Sequence, residues 1–172
     1  MNGCGTEKRD GGAPRRAIEV EFLYLDRTAC TRCRETEEAL RTAVEEARRI
    51  LAPAATEVSL RTIQVRTAAQ ARALRLVSSP TVRLNGRDAA PEVRENACAE
   101  CRGISCRVWT WRGKDYEAPP VPLLLELILR EAYGRPEGRP AAPAQAVELP
   151  ENLKRFFARS RSRRAARPET SR

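Results

Sequence analysis

Histidine is absent from all 172 residues. Its absence excludes Ser/His/Asp and Cys/His catalysis and removes imidazole as a metal ligand, so any chemistry must run on sulfur or carboxylate. Long apolar runs are missing as well. The longest aliphatic stretch, Val121 to Leu129, is interrupted by Pro122 and Glu126 and is too short to span a bilayer. The opening Met-Asn-Gly-Cys-Gly-Thr-Glu-Lys-Arg has no apolar h-region, which argues against a signal peptide and against Cys4 as a lipid anchor. A cytoplasmic location is the expectation, with no membrane partner. Lysine is scarce: 29 of the 32 basic residues are Arg. Beside abundant Ala this fits genomic base composition, so the formal charge of +9 is discounted as a nucleic-acid signal. From Gly134 onward ten Arg or Lys face four Glu, leaving +6 of the +9 in the tail and +3 in residues 1–133.

Cysteine, by contrast, is well represented, at positions 4, 30, 33, 98, 101 and 106. In a reducing compartment six cysteines point to redox or metal chemistry rather than to structural staples. The chain is organised around Cys30-Thr31-Arg32-Cys33. Before it, Ile18 to Leu25 begins as a period-two alternation and ends as an unbroken apolar run, the pattern of a strand entering a covered sheet. After it, Leu40, Ala43, Val44, Ala47, Ile50 and Leu51 recur at spacings of three and four, which predicts an amphipathic helix over 34–51. A dithiol at a helix N-terminus meets unpaired backbone N–H groups and the helix dipole, both of which favour a negative first sulfur. Cys30 is the expected thiolate, with Arg27, Arg32 and Arg34 adding positive charge, and Cys33 is placed to close or release a disulfide with it.

Residues 1–16 read as a disordered arm containing Cys4. Pro53 ends the first helix, and Thr56 to Val65 predicts a second strand, parallel to the first because a helix joins them. Thr67 can cap a short helix, Ala68 to Arg75, with Ala71, Leu74 and Leu76 inward. Pro80 opens a third strand, Thr81 to Leu84, which should turn at Asn85-Gly86 and return antiparallel through Asp88 to Val93. Arg107 to Trp111 and Tyr116-Glu117 predict a small hairpin around a turn at Arg112 to Asp115. Trp109 and Trp111 share a strand face, as apolar cover for the cysteine segment or, with Arg107 and Arg112, as a stacking surface for bases. A last helix covers Val121 to Tyr133 and is capped by Gly134. Residues 135–147 form a Pro/Ala-rich linker, and 148–172 a short amphipathic helix followed by a basic tail. Its stripe of Leu149, Leu153, Phe156 and Phe157 either docks back on the domain or enters the groove of a partner protein.

This order resembles the thioredoxin superfamily over about Ile18 to Tyr133: strand, CxxC, helix, strand, helix, Ser-Pro-Thr-Val strand, Asn-Gly hairpin, terminal helix. The resemblance implies an α/β fold with a thioredoxin-like central sheet (β-α-β-α-β-β-α), here carrying a cysteine-containing insertion at about 94–117 within a domain of 17–134. It also implies that Pro80 is cis and packs against the CxxC. Thr31-Arg32 stands where thioredoxin has Gly-Pro, and Tyr24, six residues before Cys30, stands where thioredoxin keeps a buried Asp. The pairing of this CxxC with Cys98, Cys101 and Cys106 is similar to an uncharacterised thioredoxin-like family known only as a domain of unknown function. Strand direction places the second group: a third strand that starts beside the CxxC, runs away and returns brings Cys98 back to the CxxC end of the sheet. Cys30, Cys33, Cys98, Cys101 and Cys106 are therefore expected to be neighbours.

Two chemistries follow. As a thiol–disulfide oxidoreductase acting on a protein or small-molecule disulfide, Cys30 attacks, Cys33 resolves, Pro80 orders the substrate backbone, and Cys98/Cys101 can relay electrons; no cofactor is needed. As a metal module, Cys98, Cys101 and Cys106 supply three thiolates and Cys4 or the CxxC a fourth, for zinc or another thiophilic ion. The oxidoreductase reading is placed first on the CxxC and Pro80. An iron–sulfur centre ranks below both because these spacings differ from those of thioredoxin-like ferredoxins, and nucleic-acid binding through the tail ranks last.

Overall fold

A computed structural model describes residues 16–101, 103–134 and 148–165. The N-terminal arm with Cys4, the 135–147 linker and the tail beyond 165 lie outside the described residues. Among the described residues the chain is a mixed α/β structure with four α-helices. Strand β1, Arg16–Tyr24, begins one residue inside the expected arm; it leads through a short loop into α1, Thr31–Leu51, and β2, Thr56–Gln64. Helix α2, Ala68–Ala73, and strands β3, Thr81–Leu84, and β4, Arg87–Asp88, complete the first half. One sheet has the order β2-β1-β3-β4, with β1 and β2 parallel and the other pairs antiparallel.

Alternation along β1 decides both layers. Ile18, Val20, Phe22 and Tyr24 face a core shared with Leu40, Ala43, Val44, Ala47 and Leu51 of α1, and with Leu124 and Ile128 of α3, Val121–Tyr133. Leu23 and Leu25 face the other way, toward Val65, Ala71 and Leu76. The expected helix face holds except at Ile50, which is 45% exposed. Thr67 caps α2 by accepting from the Gln70 N–H at 3.0 Å. At the β3–β4 turn Asn85 and Gly86 both take positive φ, 50° and 76°, as a two-residue hairpin turn requires.

The return strand is much shorter than expected. It pairs only at Arg87 and Asp88, and Pro91, which has no N–H to give a ladder, interrupts the segment expected to continue to Val93. The chain then enters a second, three-stranded antiparallel sheet: β5, Arg94–Ala97, β6, Ser105–Trp111, and β7, Lys114–Tyr116. The β6–β7 turn is confined to Arg112 and Gly113, tighter than expected. Trp109 is 1% exposed and packs in the α1/α3 core, so it serves as apolar cover and offers no face to a base.

Helix α4, Glu151–Ala165, supplies the second face of the sheet with its lid. Leu149, Leu153 and Phe157 are buried with Leu23, Leu25, Leu76 and Ile104, and Phe156 packs beside them. Asn152 imitates a strand neighbour, accepting from the Ser105 N–H at 2.9 Å and donating to the Ser105 carbonyl at 2.8 Å. Of the two expectations for this stripe, docking back on the domain is the one the packing shows. Leu153 is fully buried, so Leu153→Ala is expected to cost about 2–4 kcal/mol, from lost transfer energy and the cavity left behind. Urea denaturation measures this; a loss under about 0.5 kcal/mol would mean that α4 does not pack there in solution.

Candidate functional site

Cys30 is the N-cap of α1, in extended conformation at φ −115° and ψ 110°, and Cys33 lies in the first helical turn. The loop that carries them is set by Asp26, whose Oδ1 accepts from the Thr28 N–H at 2.9 Å, the Thr28 hydroxyl at 2.6 Å and the Ala29 N–H at 3.3 Å. Helix α1 begins at Thr31, three residues earlier than its apolar pattern suggests, and so takes the dithiol into its first turn.

The second cysteine group arrives on β5 and β6. The Cys98 N–H donates to the Ile104 carbonyl at 3.2 Å, closing the loop that holds Cys101. Cys106 follows on β6, and its sulfur lies 3.3 Å from that of Cys101. Arg107, next along and 1% exposed, fixes this segment to the main sheet. Its guanidinium donates to both Asp88 oxygens, at 2.9 and 2.6 Å, and to the Ala90 carbonyl at 2.9 Å, while its N–H donates to the Ser79 carbonyl at 2.9 Å.

The result is a compact sulfur cluster. The Sγ atoms of Cys30, Cys98, Cys101 and Cys106 all lie within 4.8 Å of one another, with three of the four residues buried and Cys101 half-buried. Cys33 is outside this group although it too is buried, 2% exposed. A tetrahedral zinc site with Zn–S bonds near 2.3 Å requires sulfurs about 3.8 Å apart. The 3.3 Å separation of Cys101 and Cys106 and the 4.8 Å limit bracket that value, and among the described residues the group holds sulfur donors alone, so the four cysteines could hold a metal ion. Of the ligands expected from the sequence, Cys98, Cys101 and Cys106 come together, and Cys30 joins them as the fourth sulfur.

Two residues not anticipated as site residues hold the cysteine motifs together. Arg32, the third residue of Cys30-Thr-Arg-Cys33, is buried and reaches across to Asn96, the Ala97 carbonyl and Glu117. Glu100, the third residue of Cys98-Ala-Glu-Cys101, reaches back and accepts from the Thr31 N–H and, at 2.7 Å, from the Thr31 hydroxyl. Arg32 thus ties the first motif to the strand before the second and to Glu117, and Glu100 caps α1 with a carboxylate where the helix dipole favours one.

The electrostatics differ from the expectation in their source. Hydrogen bonds from Cys101, Cys106 and Cys33 hold Cys30 far below the ordinary thiol range, against the effect of burial. The three expected arginines are engaged elsewhere: Arg27 with Glu37, Arg32 with the insertion, and Arg34 with the Thr31 hydroxyl. Cys33 is pushed up by its hydrogen bond to Cys30 and by burial, with the Ser79 hydroxyl pulling the other way. Cys106 is pushed up by Cys101 and Cys30. At Cys101 the hydrogen bond from Cys106 favours the thiolate but is outweighed by Cys30, burial and Cys98, so its pKa also rises. Without a cation the cluster carries its negative charge on Cys30; a bound divalent ion would let the other sulfurs ionise as well.

Pro80 is buried, and the Ser79–Pro80 peptide is cis. Ser79 joins two further segments here: its hydroxyl accepts from the Leu25 N–H at 3.2 Å and its carbonyl accepts from the Arg107 N–H at 2.9 Å. Among the described residues no helix is long and apolar enough to cross a membrane.

No curated protein and no solved structure matches the chain. A family model does, over residues 18–128, a span that contains both cysteine motifs and ends within α3. With more than half of its length so matched, the chain belongs to the family described as a domain of unknown function, DUF2703.

Proposed function

We propose that this chain is a thioredoxin-like domain, residues 17–134 with an insertion at about 94–117, that binds a thiophilic metal ion, zinc being the reference case, through Cys30, Cys98, Cys101 and Cys106. The convergence of four sulfurs within 4.8 Å from two distant segments carries this reading. Four protein ligands with no open position match structural rather than catalytic zinc. Bound there, the ion would tie the insertion to the start of α1. Glu100 and Arg32 orient the ligand-bearing loops from outside the cluster. Elemental analysis of protein purified without chelator should give one zinc or other thiophilic ion per chain. A metal-free protein, or stoichiometric metal retained by Cys98→Ser, would overturn the assignment.

A second reading has its own observation. Cys30 is the N-cap of α1 and Cys33 lies in its first turn, both buried, the arrangement of a dithiol that attacks and resolves disulfides. In it Cys30 is the nucleophile and Cys33 the resolving thiol, with Pro80 as the expected substrate-ordering residue. The two readings compete for one sulfur, since Cys30 bound to metal is not available for attack.

A further inference from the structure

We infer that Cys33 makes the metal site redox-gated: oxidation of Cys30 and Cys33 by a low-molecular-weight disulfide of the glutathione class removes one of the four ligands and releases the ion to an acceptor. The inference rests on the four-sulfur site proposed above. Three observations support it.

First, Cys30 is the only member of the cluster contributed by α1, the other three coming from the insertion. One covalent change at Cys30 therefore converts a four-sulfur site that bridges two segments into a three-sulfur site on one. Second, Cys33 is left over. It is buried beside the cluster without belonging to it, three residues after Cys30 in the first turn of α1. The N-cap and the third helical residue stand close enough for a disulfide across one turn. Third, the insertion stays anchored without the metal–Cys30 bond. Glu100 to Thr31, Arg32 to Asn96, and Arg107 to Asp88 and Ser79 all remain, so loss of one ligand lowers affinity without detaching the loop.

The steps balance. The Cys30 thiolate leaves the metal and attacks one sulfur of RSSR, forming Cys30–S–S–R and expelling RS⁻, which takes the proton of Cys33. The Cys33 thiolate then attacks the Cys30 sulfur, forming the Cys30–Cys33 disulfide and expelling a second RS⁻, protonated from water. Two protein sulfurs are oxidised by two electrons, one disulfide is reduced to two thiols, and the metal keeps its oxidation state.

The test uses the full chain loaded with zinc, oxidised glutathione as oxidant and a chromophoric chelator as acceptor. Release rates are normalised to the zinc present at the start. Wild type should release one zinc per disulfide formed, and peptide mapping should place that disulfide at Cys30–Cys33. Cys33→Ser and Cys33→Ala should both release zinc at least about 10-fold more slowly, because without a resolving thiol the mixed disulfide at Cys30 reverts as glutathione accumulates. Two variants are used because a hydroxyl buried in place of the Cys33 sulfur can itself disturb packing. Release at the wild-type rate from either folded variant overturns the gate. So does a disulfide mapping to Cys101–Cys106, whose sulfurs at 3.3 Å are the evident competitor. A wild-type protein that holds no zinc before oxidant is added overturns the metal reading and the gate together, whereas zinc held but not released on oxidation overturns the gate alone.

Discussion

Removing the metal from the purified protein is expected to lower its thermal midpoint by about 10 °C and to loosen residues 98–106 before the main sheet. A ligand that binds only the folded state contributes about 4 kcal/mol when present at 1,000 times its dissociation constant. For a chain of this length each kcal/mol corresponds to about 2–4 °C. The effect should be largest in the insertion, because β5, Arg94–Ala97, is exposed along its whole length and has little apolar burial of its own. It should be partial rather than total. Trp109 and Arg107 are each 1% exposed and tie β6 into the domain without using sulfur. Differential scanning calorimetry with and without chelator measures the midpoint, and amide hydrogen exchange locates the change. Exchange at 98–106 should rise while the amides of β1 stay protected. Cys98→Ser should melt near the chelated wild type and gain nothing from added zinc. An unchanged midpoint after complete metal removal would remove the structural role of the site.

The meeting of Cys30 with Cys98 was legible in outline from strand direction, although the return strand pairs only at Arg87 and Asp88 and the second sheet carries the chain the rest of the way. A strand beginning at Pro80 beside the CxxC and turning at Asn85-Gly86 has to come back, and both turn residues adopt the positive φ that such a turn needs. The core faces were legible for the same kind of reason, from period-two and period-3.6 spacing. Ile50 shows the limit: it fits the apolar spacing of α1 yet is exposed, while Leu51 beside it is buried. The second sheet was only half readable. Arg94-Glu-Asn-Ala has no hydrophobic alternation, and its pairing with β6 is specified by the partner strand rather than by its own residues. The charged contacts were the least readable. Arg32, Arg107 and Glu100 look like solvated positions, and only the fold shows that each faces an opposite charge or a helix end at long sequence separation. The C-terminal stripe was readable as amphipathic, but its choice between partner and self depended on a vacant sheet face around Leu23 and Leu76 that no local pattern announces.

Zinc and disulfide reduction should compete for Cys30, and the shared sulfur gives the size of the effect. In a single-turnover assay with the reduced protein and a model peptide disulfide, metal-free wild type should release two equivalents of thiol, the second by attack of Cys33 on the mixed disulfide. Cys33→Ser should release one equivalent and stop. Cys30→Ser should fall to the uncatalysed rate, since the thiolate is the attacking species and its replacement has no comparable nucleophile. Loading wild type with zinc should slow the reaction at least about 10-fold, because ligation occupies the lone pair needed for attack and anchors Cys30 among three further sulfurs. Equal rates for wild type and Cys30→Ser would dispose of the oxidoreductase reading. Equal rates with and without zinc would show instead that Cys30 is not a ligand, leaving at most the three sulfurs of the insertion to bind the ion. Both results would leave the four-sulfur geometry without a chemical use for its one helix-borne member, whereas slowing in the expected direction would mean that Cys30 has to leave the metal before it attacks.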